Sequence, residues 1–307
     1  MKATTTVLAI LSAVILGWAA PVHAQAGPPI KVVASMSVLA DIVRNIGGER
    51  LEVVSLVPPD GDAHIYEPTP TDSRAIAAAK LVVINGLGLE GWIDRFIKAS
   101  GYKGRLAVAS AGIKARKMEA DDASAGGKAA RFDDPHCWQD LSLGRRYVAT
   151  IAAALIEADP ANAEAYRARE HAYDQELARL DGWVRAEFAS VPQPKRRIIT
   201  SHDAFGYLGA AYGVTLLAPV GVSTESEPSA ADVAKLIRQI RRDKVKAVFI
   251  ENMTDTRLIE QIGRESGAVL GGTLYSDALS KPGGPADTYV KMFRHNVALL
   301  KEAMLKN

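Results

Sequence analysis

The sequence predicts an α/β protein built from two parallel-sheet lobes that are joined by a long, rigid backbone helix. Two observations predict this fold. Short β-branched runs alternate with helical patterns along most of the 307 residues, as in parallel sheets that are covered by helices. Near the middle of the chain this alternation stops, and helical spacing continues without an intervening strand.

The first residues have the three parts of a secretory leader. Lys2 is the only charge in an apolar start, and Val22-His23-Ala24 supplies the small-residue pattern that signal peptidase recognises. An apolar run of about a dozen residues is too short to span a bilayer of roughly 30 Å. No Cys follows the cleavage site to carry a lipid. We therefore expect residues 1–24 to be a signal peptide and the mature protein to be soluble, unanchored and periplasmic.

The two lobes are predicted to contain the same number of strands. The N-terminal lobe extends over 25–158, with strand candidates at Ile30–Ala34, 51–57, 81–85 and 106–109. The C-terminal lobe extends over 192–307, with strand candidates at 197–201, 215–218, Ala247–Glu251 and 268–273, and with helices at 228–242 and Thr256–Ser266.

A linking helix is predicted between the lobes, over 159–191. Asp159 is placed as its N-cap and Pro160 as its first helical residue. A helix from Pro160 to Ala189 would be about 45 Å long. Because such a helix restricts hinge opening, we expect a small ligand and a modest closure of the lobes. The charged segment 114–131 is predicted to be a mobile surface loop.

Charge and cysteine content exclude several classes of protein. Without the leader, 36 basic residues face 35 acidic ones, and the sequence has no basic block of the kind that nucleic-acid binding needs. The single cysteine, Cys137, cannot form an internal disulfide. We expect a monomer with no nucleic-acid partner, stabilised by burial of apolar side chains.

Three of the six histidines occupy loops or strand-to-helix junctions, where α/β proteins place ligand-binding groups. These are His64, His136 and His202, whereas His171 and His295 lie in helical patterns and are predicted to be on the surface. Imidazole is a good Zn²⁺ ligand, and a closed site needs four donors. Asp277 follows a strand-like run and is the natural fourth. Two ligands would come from each half, which predicts a site in the cleft between the lobes. A single loop histidine, however, is more often a surface or capping group than a ligand.

Five segments carry a resemblance to a known family. They are 61–70 (Gly-Asp-Ala-His-Ile-Tyr-Glu-Pro-Thr-Pro), 134–138 (Asp-Pro-His-Cys-Trp), 200–207 (Thr-Ser-His-Asp-Ala-Phe-Gly-Tyr), 221–229 (Gly-Val-Ser-Thr-Glu-Ser-Glu-Pro-Ser) and 275–280 (Tyr-Ser-Asp-Ala-Leu-Ser). In these segments the chain resembles the metal-ion solute-binding proteins of ABC transporters, the zinc- and manganese-binding group called cluster A-I. The resemblance covers essentially the whole mature chain.

The resemblance implies a fold of two α/β lobes and a metal site at His64, His136, His202 and Asp277. It implies a receptor that captures Zn²⁺ and delivers it to an ABC permease at the inner membrane, with a periplasmic metallochaperone as a further partner. Members assigned to manganese typically have Glu at the position of His202, so His202 favours zinc. A receptor for Mn²⁺ or iron is the alternative. Segment 114–131 departs from the family's His-rich loop because it contains no histidine.

Other classes of function find less support in the residues. A secreted zinc hydrolase needs an open coordination position and a nearby base, and the sequence has no His-Glu-x-x-His cluster. An adhesin has no specific residue in its favour.

Cys137 is predicted to be a small buried hydrophobe rather than a ligand. Around the site, Trp138 and Tyr66 are expected to pack against the ligands. The candidate acceptors for the second imidazole nitrogens are Glu67, Asp134 and Asp203.

Overall fold

The computed structural model describes residues 27–119, 131–221, 223–225 and 228–307. The predicted signal peptide, 1–24, lies outside these ranges. Within them, the helices are all too short or too polar to cross a membrane.

The N-terminal lobe is a parallel sheet of four strands in the order β2-β1-β3-β4. Its buried central strands are apolar and β-branched, as both faces of the sheet are covered by helices. Thr69 and Asp72 cap each other at the start of the second helix, where Pro70 occupies the first turn. The elements, in chain order, are β1 (Ile30–Ala34), α1 (Ser37–Gly47), β2 (Leu51–Ser55), α2 (Pro70–Ala78), β3 (Leu81–Ile84), α3 (Ile93–Ala99) and β4 (Arg105–Val108).

A short antiparallel pair follows this sheet. β5 (Lys117–Glu119) pairs with β6 (Arg131–Asp133), and Lys117 Nζ lies 2.5 Å from Asp133 Oδ1. The prediction of loop throughout 114–131 was therefore wrong at both ends of the segment. Residues 120–130 lie outside the described part of the chain.

Two helices occupy the centre of the protein, α4 (Leu141–Ala158) and α5 (Ala163–Ala189). The long helix begins later than predicted, because Pro160–Asn162 form a 3-10 turn and Asn162 is the N-cap of α5. The Asp159 carboxylate does not cap the helix but accepts hydrogen bonds from Asn162 Nδ2 and Tyr166 Oη.

Helix α5 belongs to both lobes. At 1.5 Å per residue its 27 residues extend over about 40 Å. Its buried side packs against α1 and α4 of the first lobe and against the C-terminal helix, α9 (Tyr289–Lys306), of the second. One continuous apolar core runs through all four helices. The two lobes therefore share a rigid support, which limits how far they can separate.

The C-terminal lobe is a second parallel sheet of four strands, in the order β10-β9-β7-β8. The edge strand β10 has an irregular register between Leu270 and Thr273, where Gly272 has a φ of 114° that only glycine adopts readily. The elements before α9 are β7 (Arg197–Ile199), α6 (Gly206–Tyr212), β8 (Thr215–Leu217), α7 (Ala230–Asp243), β9 (Ala247–Glu251), α8 (Thr256–Ser266) and β10 (Val269–Leu274). The two-lobed fold predicted from the sequence is confirmed.

Candidate metal centre

The four predicted ligand side chains meet in the cleft between the lobes. His64, His136, His202 and Asp277 each offer one donor atom, and these atoms lie within 4.8 Å of one another. His64 is 4% exposed and the other three are fully buried. In the described part of the chain, no other cluster of three or more His, Cys, Asp or Glu side chains has this geometry.

The N-terminal lobe supplies two of the four predicted ligands from loops. His64 lies after β2, and its main-chain N–H donates to Asp62 Oδ1 at 2.8 Å. Trp92 Nε1 donates to Ala63 O at 2.9 Å and fixes the same loop from the side. His136 lies between β6 and a 3-10 turn that leads into α4.

The C-terminal lobe supplies the other two ligands just beyond the carboxyl ends of parallel strands. His202 follows β7, and Asp277 follows β10. Trp138 Nε1 and Gln139 Nε2, which come just after His136, both donate to Ser276 O at 2.9 Å. The turn that follows His136 in the first lobe therefore holds the main chain next to Asp277 in the second lobe.

The three Nε2 atoms and the Asp277 oxygens are close enough together to bind a single small ion. Asp277 Oδ2 lies 3.3 Å from the Nε2 atoms of His64 and His202, and Asp277 Oδ1 lies 3.5 Å from Nε2 of His136. A tetrahedral ion with bonds of about 2.0–2.1 Å has ligand–ligand edges of about 3.3–3.4 Å. All three Nε2 atoms and both Asp277 oxygens are buried without a hydrogen-bond partner. Buried polar atoms are normally paired, so these orphaned donors fit a shared cation.

Two further carboxylates face the Nδ1 atoms of two imidazoles, that of His136 through a hydrogen bond and that of His202 through an ion-pair contact outside hydrogen-bond geometry. Asp134 Oδ1 lies 2.9 Å from His136 Nδ1, and Glu251 Oε2 lies 2.7 Å from His202 Nδ1. A partner on Nδ1 holds the tautomer that leaves Nε2 free for a metal. Sequence reasoning identified Asp134 but missed Glu251. Among the described residues, Glu67 and Asp203 make no hydrogen bond to a ligand imidazole.

The charges of the site are strongly coupled. Burial opposes protonation of His136, but the carboxylates of Asp277 and Asp134 outweigh it and raise the pKa to about 9. Burial likewise opposes protonation of His202, and Glu251 and Asp277 together raise its pKa well above the usual value. Burial alone would raise the pKa of Asp277, yet the two imidazoles hold it well below its usual range. Asp277 is therefore an anion, ready to coordinate a cation.

The neighbours of the site behave only partly as predicted. Cys137 is fully buried and outside the ligand group, and burial raises the pKa of its thiol to about 11. The buried Trp138 ring lies 5.2 Å from the His136 ring. Tyr66 packs instead against Trp92, with 5.4 Å between ring centroids.

The two helical histidines differ from each other. His171 is exposed, as predicted. His295 is half-buried, and its Nε2 lies 2.9 Å from Thr273 O. His295 is therefore at the surface as predicted, but its ring is partly covered.

Two α/β lobes that share one buried set of three imidazoles and a carboxylate define a two-lobed metal-binding protein. The chain belongs to the ZnuA family, zinc-uptake complex component A, periplasmic, whose profile matches residues 32–303. It is therefore a metal-binding solute-binding protein of an ABC transporter, in a family of receptors rather than enzymes.

Relatives of the chain are named for several metals. The manganese-binding lipoprotein MntA of Halalkalibacterium halodurans is 32% identical over 271 residues, 88% of this chain and 87% of that protein. The iron ABC transporter substrate-binding lipoprotein MtsA of Streptococcus pyogenes is 33% identical over 284 residues, 90% of this chain and 89% of that protein. The solved periplasmic zinc-binding protein TroA of Treponema pallidum superposes with a TM-score of 0.83 at 31% identity, covering 91% of this chain and 99% of that one.

Proposed function

We propose that the protein captures Zn²⁺ in the periplasm through His64, His136, His202 and Asp277 and delivers it to an ABC permease at the inner membrane. The convergence of three unpaired Nε2 atoms on one buried carboxylate carries this proposal. Such a group is costly to bury without a partner, and a divalent cation satisfies all of its members at once.

The donor set favours zinc. Three imidazoles and one carboxylate suit Zn²⁺, whereas Mn²⁺ prefers oxygen donors. The distances of 3.3 Å from Asp277 Oδ2 to the Nε2 atoms of His64 and His202 also fit two edges of a small tetrahedral site. Manganese is the second candidate, since both Asp277 oxygens are unpaired and a bidentate carboxylate would raise the coordination number. The named metals of the relatives, manganese, iron and zinc, support both.

A receptor fits this site better than a zinc hydrolase does. Four buried protein donors leave no coordination position for an attacking water, which catalytic zinc requires.

We further propose that the mature protein is free in the periplasm, although the named relatives above include lipoproteins. Osmotic-shock release of the protein without detergent would support the free form, and retention with the membrane would contradict it.

The metal is tested by native mass spectrometry with elemental analysis, followed by competition binding of Zn²⁺ and Mn²⁺. We expect one Zn²⁺ per chain and a preference for Zn²⁺. His202→Glu replaces an imidazole by an oxygen donor and should lower that preference by at least about tenfold. His171→Glu, on the exposed side of α5, is the matched control. An unchanged preference in His202→Glu contradicts the assignment of zinc.

A further inference from the structure

A group of hydrogen bonds beside the metal site ties the two lobes together. Asp60, four residues before His64, donates its main-chain N–H to Leu279 O at 3.0 Å. Its Oδ1 accepts a hydrogen bond of 2.9 Å from Asn252 Nδ2. We call Asp60, Asn252 and Leu279 the interlobe clamp. The clamp consists of one residue from the first lobe and two from the second.

Each member of the clamp lies within four residues of a residue of the metal site along the sequence. Asn252 follows Glu251, which supports His202, and Leu279 comes two residues after Asp277. Asn252 Nδ2 also donates to Ala278 O at 3.3 Å. A relative movement of the lobes that breaks the clamp therefore separates His64 from Asp277.

The backbone at Asp60 is held in an uncommon conformation. Its φ is 61°, in the left-handed region that favours glycine and that Asp tolerates better than most other residues. Such strain persists where the surroundings hold the residue in place, and it is concentrated at functional sites. Here the surroundings include the bonds to Leu279 and Asn252, both from the opposite lobe.

The second observation concerns the Asn252 amide. Its Oδ1 is buried and has no hydrogen-bond partner among the described residues. A buried amide oxygen without a partner costs free energy. The orientation of this amide is thus determined by its donor end, which faces the Asp60 carboxylate and Ala278 O.

We propose that Asp60 is a positioning residue that keeps the lobes closed around the bound metal through Asn252. This inference rests on the proposed function as a metal receptor. The clamp does not touch the ion; it slows dissociation because the lobes must break the Asp60–Asn252 bond before His64 can leave the ion.

The test exchanges the carboxylate of Asp60 and the amide of Asn252 across the cleft. The Zn²⁺ dissociation rate of each variant is measured by stopped flow against a chelator. Asn252→Asp places two carboxylates against each other and should raise the rate at least about tenfold. Asp60→Asn keeps an acceptor oxygen and should change the rate by no more than about threefold. The double variant Asp60→Asn/Asn252→Asp restores an amide–carboxylate pair in the reverse sense, although not the bond to Ala278 O, and its rate should fall at least about threefold below that of Asn252→Asp.

A matched control lies outside the cleft, where Asn162 Nδ2 donates to Asp159 Oδ2 at 2.8 Å. Asn162→Asp creates the same repulsion there and should leave the dissociation rate unchanged. Asn252→Ala removes the donor without adding charge, and it should raise the rate several-fold even if Asn252→Asp folds poorly. The clamp is refuted if both Asn252 variants dissociate at the wild-type rate, or if Asp60→Asn fails to restore Asn252→Asp. If wild type binds no divalent metal, the proposed function fails instead.

Discussion

Glu251 offers the sharpest test of how the metal site is held. Its carboxylate is fully buried and serves His202 twice, through Oε2 at 2.7 Å from Nδ1 and through Oε1, which accepts the main-chain N–H at 2.9 Å. Glu251→Gln keeps the shape of the side chain but supplies only one acceptor oxygen. Either the hydrogen bond to the main-chain N–H or the ion-pair contact at Nδ1 must therefore be lost.

The expected magnitude follows from the consequence for His202. If the Gln amide group faces Nδ1, the imidazole proton moves to Nε2, the atom that faces Asp277 at 3.3 Å. Removal of such a supporting partner typically lowers metal affinity by about 10- to 100-fold, which corresponds to about 1.4 to 2.8 kcal/mol. We expect Glu251→Gln to weaken Zn²⁺ binding within this range.

The assay is competition for Zn²⁺ against a fluorescent chelator, with thermal melting of the metal-free proteins as a check on folding. Glu49→Gln, an exposed carboxylate of the first lobe, is the control for the chemical change itself. If folded Glu251→Gln binds Zn²⁺ within about twofold of wild type, the supporting role of Glu251 is refuted.

Two further predictions concern protons and the cysteine. Burial disfavours the charged form of His136, but Asp277 and Asp134 raise its pKa from 6.5 to about 9, so below about pH 9 the metal must displace a proton. Zn²⁺ affinity should rise with pH up to about 9; calorimetry in buffers of different ionisation enthalpy measures the protons released, and a flat profile contradicts the prediction. Cys137→Ala should leave Zn²⁺ affinity within about twofold of wild type and lower the free energy of unfolding by about 1 kcal/mol, as measured by titration and by denaturant unfolding; a large loss of affinity would make the thiol a ligand.

The strands and the donor set could be predicted from the sequence because both leave local signals. Each of the eight predicted strands is present within two residues of its expected bounds. His202 and Asp277 each follow a short β-branched run, which is where parallel sheets present ligands. The structure brings these side chains together with His64 and His136, and their role as metal ligands stays a prediction.

What the sequence did not reveal depends on contacts between distant segments. The sequence alone indicates only that Glu251 is the last residue of an apolar strand. Glu251 reaches His202 because β9 lies beside β7 in the sheet. Asp60 and Asn252 are 192 residues apart and meet only because of how the lobes are oriented. The 3-10 turn at Pro160–Asn162 was missed because a proline at a helix start is compatible with either form.

The division of the ligands between the lobes explains how a rigid receptor can release its cargo. Each lobe supplies two donors, and the edges around Asp277 are 3.3 to 3.5 Å. A displacement of one lobe by about 1 Å would stretch metal–ligand bonds of about 2.0 Å beyond coordination distance. Helix α5 and the core that it shares with both lobes prevent a wide hinge motion, but release does not require one. A permease that separates the lobes by about 1 Å therefore breaks the site, which makes the interlobe contacts, rather than the ligands alone, decisive for how long the metal is retained.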